Sequence, residues 1–326
     1  MQKRLPLLSI HSLAVIMAAL LFSITTNAFD RMNTISDSTT LQGRWNITVD
    51  VDGQQKPSWL EIRKSGSKML VGRFVGLEGS ARPVSRIHFE NGKMHFSIPP
   101  QWEREPNDLY VEGKLDGDGL SGTIKLPSGK TWKWEGKRAP ELRSGTVKWG
   151  EPIRLFDGKK MDAWHATGKN QWIVESGLLR NPVAGSNLVT HQKFDDFKLH
   201  LEFRYPQGSN GGVYLRGRYE VQIIDSKGQR PDDLLFGGVY GFLTPSVMAA
   251  KAPGEWQTFD ITLVGRMITI VANGITIIKD QEIPGTTGGA LDSNEGEPGP
   301  ILLQGDHGAI DFRNIIITPG EVASSK

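Results

Sequence analysis

Four residues on one short stretch have the types and spacing for chemistry: Arg216, Glu220, Gln222 and Asp225. An arginine is a permanent cation able to hold a carbonyl or enolate oxygen. Glu220 and Asp225 are carboxylates, and a pair held about 5 to 5.5 Å apart can cleave a glycosidic bond with retention. A second group follows nearer the C-terminus, where Gln304, Asp306 and His307 fall within LLQGDHG, and Tyr240 sits in FGGVYGF (236–242).

The elements that must position these residues read as a β-hairpin over Asn210–Ser226, NGGVYLRGRYEVQIIDS. Strand side chains alternate between faces. Val213 and Leu215 therefore share one face, with Tyr214 and Arg216 on the other. In the second strand Tyr219, Val221 and Ile223 oppose Glu220 and Gln222. One face of the hairpin is apolar and suits a core. The other gathers Arg, Glu, Gln and Tyr, and it reads as the floor of a ligand cleft.

Around this hairpin the chain is rich in short alternating runs, with 38 Gly and 18 Pro as punctuation, which specifies an all-β architecture. FKLHLEFRY alternates as a half-buried strand, and Asn273-Gly274 between two alternating runs is the strongest hairpin signal. Residues 151–319 are expected to form a two-sheet sandwich, followed by a tail (320–326). Residues 41–138 carry seven to eight strand-like runs with turn pairs at Asp52-Gly53, Ser65-Gly66, Asn91-Gly92, Asp118-Gly119 and Ser128-Gly129. They predict a small antiparallel barrel or sandwich acting as an accessory unit. Trp45, Trp59 and Trp102 there either stack on sugar rings or fill the core. Ala139–Gly150 reads as a linker.

At the N-terminus Lys3 and Arg4 precede an apolar run, and Thr26-Asn27-Ala28 ends it with small residues. That pattern predicts an export signal (1–28) before a polar leader (29–40), hence a periplasmic or secreted protein with no membrane span in the mature chain. The sequence has no Cys, so no disulfide can form, and the net charge of +2 gives no reason to expect nucleic acid as a partner.

Five spaced motifs, LFDGKKMDAW, WIVESGLL, DFKLHLEFR with NGGVYLRGRYEVQIIDS, PGEWQTFDITLVGRMITIVANG and GPILLQGDHGAIDFRNIIITP, resemble the 3-keto-disaccharide hydrolase family over 151–319. GRW, PSWLEI, GRFVG and KRAPEL resemble the β-rich unit that often precedes this domain. The resemblance implies a concanavalin-like (laminin-G-like) jelly roll. Asn210-Gly211-Gly212 stands where the family commonly has Asn-Ser-Gly.

Laminarinase-type sandwiches carry Glu-x-Asp-x-x-Glu on one strand, and Glu220-Val-Gln222-Ile-Ile-Asp225 copies that spacing with a neutral central residue and a shorter last acid. Direct glycosidase chemistry is disfavoured on that ground. The resemblance implies a 3-keto-glycoside substrate instead. A ketone at C3 acidifies the C2 proton, a base removes it, the C1 aglycone leaves, and water adds back. Such a route needs a base, a holder for the enolate oxygen and a proton donor.

The candidate catalytic residues are Arg216 at the enolate oxygen, Glu220 or His307 as base, and Asp225 or Asp306 to orient or exchange protons. Asn210, Gln222, Gln304, Asp306 and Tyr240 are candidate substrate contacts, with Tyr240 also a proton donor. A cross-hairpin Arg216–Glu220 ion pair is the structural alternative. His165, His191 and His200 read as structural, and Arg313 and Asn314 as holding a strand end.

A separate sugar 3-oxidoreductase must supply the ketone, since no dinucleotide fold is legible here. No cofactor is specified. A structural Ca²⁺ is conceivable at the acidic loop of Asp292, Asn294, Glu295 and Glu297. The alternative from another class is a carbohydrate-binding protein without chemistry.

Overall fold

The computed structural model describes residues 40–102, 106–142 and 145–321; the export-signal segment, the leader up to residue 39 and most of the tail lie outside the described residues. The described residues contain no helix long and apolar enough to cross a membrane.

The first eight strands are β1 (Gly43–Val51), β2 (Gln54–Ser65), β3 (Met69–Val75), β4 (Ala81–Glu90), β5 (Lys93–Ile98), β6 (Leu109–Asp116), β7 (Gly119–Lys125) and β8 (Thr131–Arg138). Each pairs with the next, and β8 returns to β1, closing an antiparallel barrel. Turn chemistry dictates much of this order. Asp52-Gly53 and Asn91-Gly92 both take left-handed φ, which matches the twist of tight hairpins. The turn expected at Asp118-Gly119 lies one residue earlier, because Gly117 supplies the left-handed conformation and Gly119 already pairs with Asp116.

Inside the barrel, Trp45, Ile47, Val49, Leu60, Phe74, Phe96, Val111 and Trp134 form the core. Trp59 points the other way. It is buried against the C-terminal half, edge-on to Phe242 at 5.2 Å between ring centroids. Trp45 and Trp59 are fully buried and cannot stack on a sugar, whereas Trp102 is 60% exposed.

The second half comprises β9 (Lys148–Trp149), β10 (Ile153–Phe156), β11 (Trp164–Ala166), β12 (Ile173–Glu175), β13 (Leu178–Asn181), β14 (Leu188–Thr190), β15 (Phe197–Arg204), β16 (Asn210–Leu215), β17 (Tyr219–Ile224), β18 (Gln257–Val264), β19 (Met267–Ala272), β20 (Ile275–Glu282), β21 (Leu302–Leu303) and β22 (Ile310–Glu321). A nine-stranded sheet runs β12-β13-β22-β15-β18-β19-β20, with β9 and β10 also on β22. It faces a five-stranded sheet ordered β11-β14-β21-β16-β17. The segment read as a linker thus ends inside a sheet, as Trp149 pairs with Gly320.

The alternating strands bury one face each between the sheets. Phe197, Leu199, Leu201 and Phe203 of β15 meet Val213, Leu215, Val221 and Ile223 of the hairpin in one core. Truncating Phe203 here would cost about 3–5 kcal/mol, because its cavity could not collapse. Asn273 and Gly274 are both left-handed and join β19 to β20 through a two-residue turn.

Candidate active site

The outer face of the five-stranded sheet carries the polar residues that alternation turns away from the core. Register sets their neighbours. Glu220 on β17 lies opposite Tyr214 on β16, Tyr214 opposite Leu302 on β21, Leu302 opposite Val189 on β14, and Val189 opposite His165 on β11. In the next row Gln222 faces Gly212, whose carbonyl accepts from the Gln304 backbone N–H at 2.9 Å. Asn210 shares this parity, so Asn210, Tyr214, Glu220, Gln222 and Gln304 occupy one face.

Glu220 is the centre of the group. Its carboxyl lies over Gly212, where a Cβ would sit 2.5 Å from Oε1. Tyr214 Oη is 2.9 Å from Glu220 Oε2 and 3.0 Å from the Gly288 carbonyl oxygen. One hydroxyl proton serves one acceptor at a time. Tyr214 therefore donates either to Glu220 Oε2 or to the Gly288 carbonyl. Burial pushes the Glu220 carboxyl up to about 8, against the lowering effect of the Tyr214 hydrogen bond and the His307 charge. Burial together with the Glu220 charge raises the Tyr214 hydroxyl as well. Burial thus favours the neutral acid at Glu220.

His307 and Asp306 follow β21 on a loop. His307 Nδ1 is 2.5 Å from Asp306 Oδ1, and the ring is half exposed. The Asp306 hydrogen bond and charge raise the imidazole above its ordinary value, with further raising from Glu220 and Glu78. Burial opposes ionisation of Asp306, but His307 outweighs it and holds that carboxyl low. The loop is fixed by side chains that sequence reading missed. Asn181 Nδ2 donates to the Gly305 and Gly308 carbonyls at 2.9 and 2.7 Å, and the Gly305 N–H donates to Asn187 Oδ1 at 2.8 Å.

Two further segments border β17. Along its free edge Val221 bridges to Val239, and the Tyr240 N–H donates to the Glu220 carbonyl at 3.0 Å. This contact sets Tyr240 beside Glu220. Burial first, then the Glu220 charge, pushes the Tyr240 hydroxyl up to about 12, while a hydrogen bond from Trp102 lowers it. At the hairpin end Thr287 Oγ1 accepts from the Glu220 N–H at 3.0 Å. Thr287 and Gly288 carried no recognisable signal, since their partners are distant in sequence.

Three amide oxygens, Asn210 Oδ1, Gln222 Oε1 and Gln304 Oε1, are buried without a hydrogen-bond partner among the described residues. Buried polar atoms are ordinarily satisfied, and these three lie on one sheet face.

Two expected residues are not brought here. Arg216 was expected beside Tyr214, but alternation ends at Leu215, and Arg216 enters the turn with φ 52°. Its buried guanidinium donates to Asp195, to Tyr219 Oη and to the Gly265 carbonyl, each at 3.0 Å. It neither pairs with Glu220 nor reaches the polar face. Asp225 lies beyond the end of β17 and accepts from the Gly208 N–H at 2.9 Å, closing a turn. The Glu-x-Gln-x-x-Asp spacing therefore makes no carboxylate pair.

Other expectations resolve as follows. His165 and His191 stack at 4.8 Å on the same sheet face, roughly 19 Å from Glu220 at about 4.8 Å per strand. His200 pairs with Asp260 at 2.7 Å on the other sheet. Arg313 bonds Glu202, and Asn314, with φ 49°, sits at a bulge of β22. Two carboxylates of the acidic loop are engaged: Asp292 with Arg218, and buried Glu295 with Arg266. Among the described residues no group of three His, Cys, Asp or Glu could hold a metal. A cleft of about 610 Å³ between the barrel and Ser293–Glu297 is lined by mixed charges and by none of the residues of the Glu220 group.

The fold is an all-β, jelly-roll-like sandwich behind a closed barrel, with a buried carboxyl and a carboxylate–imidazole pair on one side of the smaller sheet. The chain belongs to the 3-keto-alpha-glucoside-1,2-lyase-like domain family, whose model matches residues 151–318. It is 28% identical over 96 residues to the 3-keto-disaccharide hydrolase of Bacteroides thetaiotaomicron, across 26% of this chain. The match spans about a third (32%) of that relative's length. Two solved chains of candidate glycosyl hydrolases from Parabacteroides distasonis ATCC 8503 are similar at 29% and 25% identity, with TM-scores of 0.44 and 0.42. They cover 55% and 52% of this chain and 93% and 98% of their own.

Proposed function

We propose that the chain cleaves 3-keto-glycosides, 3-keto-disaccharides among them, by C2 deprotonation, elimination and hydration. The observation that carries this reading is Glu220, a carboxyl whose burial against Tyr214 favours its neutral form, beside the Asp306–His307 pair. A neutral acid donates a hydrogen bond to an enolate oxygen, a task the absent arginine would otherwise have filled.

His307, oriented at Nδ1 by Asp306, takes the C2 proton on Nε2. The electrons of the C2–H bond move to the C3 oxygen, where Glu220 donates. The enolate then re-forms the ketone, a C1–C2 double bond appears, and the C1–O bond breaks. Tyr240, more acidic than the sugar alcohol it faces, gives its proton to the leaving oxygen. Water adds to C1 and a proton returns to C2, so the net change is hydrolysis. Gln222, Gln304 and Asn210, on the same sheet face as Glu220, read the sugar hydroxyls.

The ketone comes from a separate sugar 3-oxidoreductase. The basic, apolar and small-residue order of residues 1–28 supports work outside the cytoplasm.

Reaction in heavy water tests the route. Elimination and readdition places one deuterium at C2 of the released keto sugar. Retention of protium at C2 in a competent reaction would sink this mechanism.

A further inference from the structure

The barrel has no assigned role, yet two of its segments reach the site. Between β3 and β4, Gly79 packs so closely that a Cβ on Gly288 would lie 2.0 Å from the Gly79 carbonyl oxygen. Gly288 is the same residue whose carbonyl faces Tyr214. Glu78, next to Gly79, contributes to the raised His307. After β5, Gln101 Nε2 donates to Ser80 Oγ at 2.8 Å, and the Ser80 N–H donates to Gln101 Oε1 at 3.1 Å. This clasp fixes the base of Trp102. The indole N–H is then hydrogen-bonded to Tyr240, and a Cβ on Gly79 would lie 2.9 Å from Trp102 Nε1.

An indole clasped at its base and tied at its nitrogen has a fixed plane. Trp102 nevertheless keeps 60% of its surface exposed, the most of the exposed large hydrophobic residues that the barrel carries. A single exposed aromatic is ordinary on a protein surface, but this one is held at its nitrogen by Tyr240, which borders the Glu220 group. The C–H face of a pyranose is the complement in size and chemistry.

We propose that Trp102 is the stacking platform for the second sugar ring, the one on the leaving side of the scissile bond. The assignment rests on the functional reading above, because Tyr240, its hydrogen-bond partner, is the residue placed at the leaving oxygen. The barrel thereby completes the substrate site, and the enzyme favours disaccharides over simple alkyl glycosides.

The test uses the full chain with 3-keto-maltose and methyl 3-keto-α-glucoside, comparing wild type, Trp102→Ala and Trp102→Phe. Trp102→Ala should lower the kcat/KM preference for the disaccharide about tenfold, mainly through KM. Trp102→Phe, which keeps a ring and loses the N–H, should hold that preference within about threefold. An equal fall on both substrates would mean that the indole only props Tyr240, and it would overturn the proposal, as would no change on either. Calorimetric binding of unoxidised maltose separates the two claims. Binding that weakens about tenfold in Trp102→Ala, without turnover of any keto sugar by wild type, would keep the platform and reject the enzyme. Binding indifferent to Trp102 would reject the platform.

Discussion

Tyr214 and Glu220 face each other across a two-strand register, with Oη 2.9 Å from Oε2 and the Gly288 carbonyl behind them. The hydrogen bond from Tyr214 favours the ionised carboxylate, so removing it drives the Glu220 carboxyl still higher. Tyr214→Phe should therefore move the alkaline limb of the pH–rate profile upward and lower kcat about tenfold, as expected for one buried hydrogen bond. A profile unmoved by the substitution would separate the two residues functionally.

The same carboxyl predicts a pH-dependent stability. Its folded value, about 8, lies above the ordinary 4.5, so the folded state binds the proton more tightly. The stabilisation is complete below about pH 4.5 and is lost as pH rises through 8. Glu220→Gln cannot ionise and should hold its Tm from pH 6 to 9 while wild type falls by several degrees. Parallel melting curves would contradict the buried neutral acid.

His307 and Asp306 set the acid limb. Turnover requires neutral His307, and Asp306 raises that imidazole. Asp306→Asn should shift the acid limb to lower pH and reduce kcat, whereas His307→Ala should cost roughly 10²–10⁴-fold with little change in fold. Circular dichroism beside the rate profile checks both.

Gly212 leaves the space that the Glu220 carboxyl occupies, and a Cβ there would sit 2.5 Å from Oε1. The clash falls on the end of a side chain, so the sheet can keep its register while the carboxyl moves. Gly212→Ala should remove most turnover while Tm changes little. Arg216→Met makes the opposite prediction. It leaves the Gly265 carbonyl and Tyr219 short of a donor, costing roughly 2–3 kcal/mol of stability, with the shape of the pH–rate profile retained.

The hairpin was legible because strand alternation has a period of two and survives without neighbours. Tyr214, Glu220 and Gln222 could be set on one face from sequence, and Asn210 follows by the same parity. Arg216 was misread because alternation says nothing about where a strand stops, and a left-handed residue at the turn sends the guanidinium elsewhere. Asp225 failed for the same reason at the other end. Asn181, Asn187 and Thr287 lay out of reach, as each acts through a contact across 67 to more than 120 residues of chain, and although Trp102 was a sugar-stacking candidate, its tie to Tyr240 was not legible. The closed barrel was foreshadowed by its turn pairs, but not its approach to the site, which depends on Gly79 and Gly288 meeting without side chains.

The most direct test of the central claim is mass-spectrometric turnover of matched disaccharides, 3-keto and unoxidised, by wild type, Glu220→Gln and His307→Ala. The account predicts cleavage of the keto form alone, strongly reduced in both variants. Cleavage of the unoxidised sugar, or binding of both forms with no cleavage of either, would contradict it.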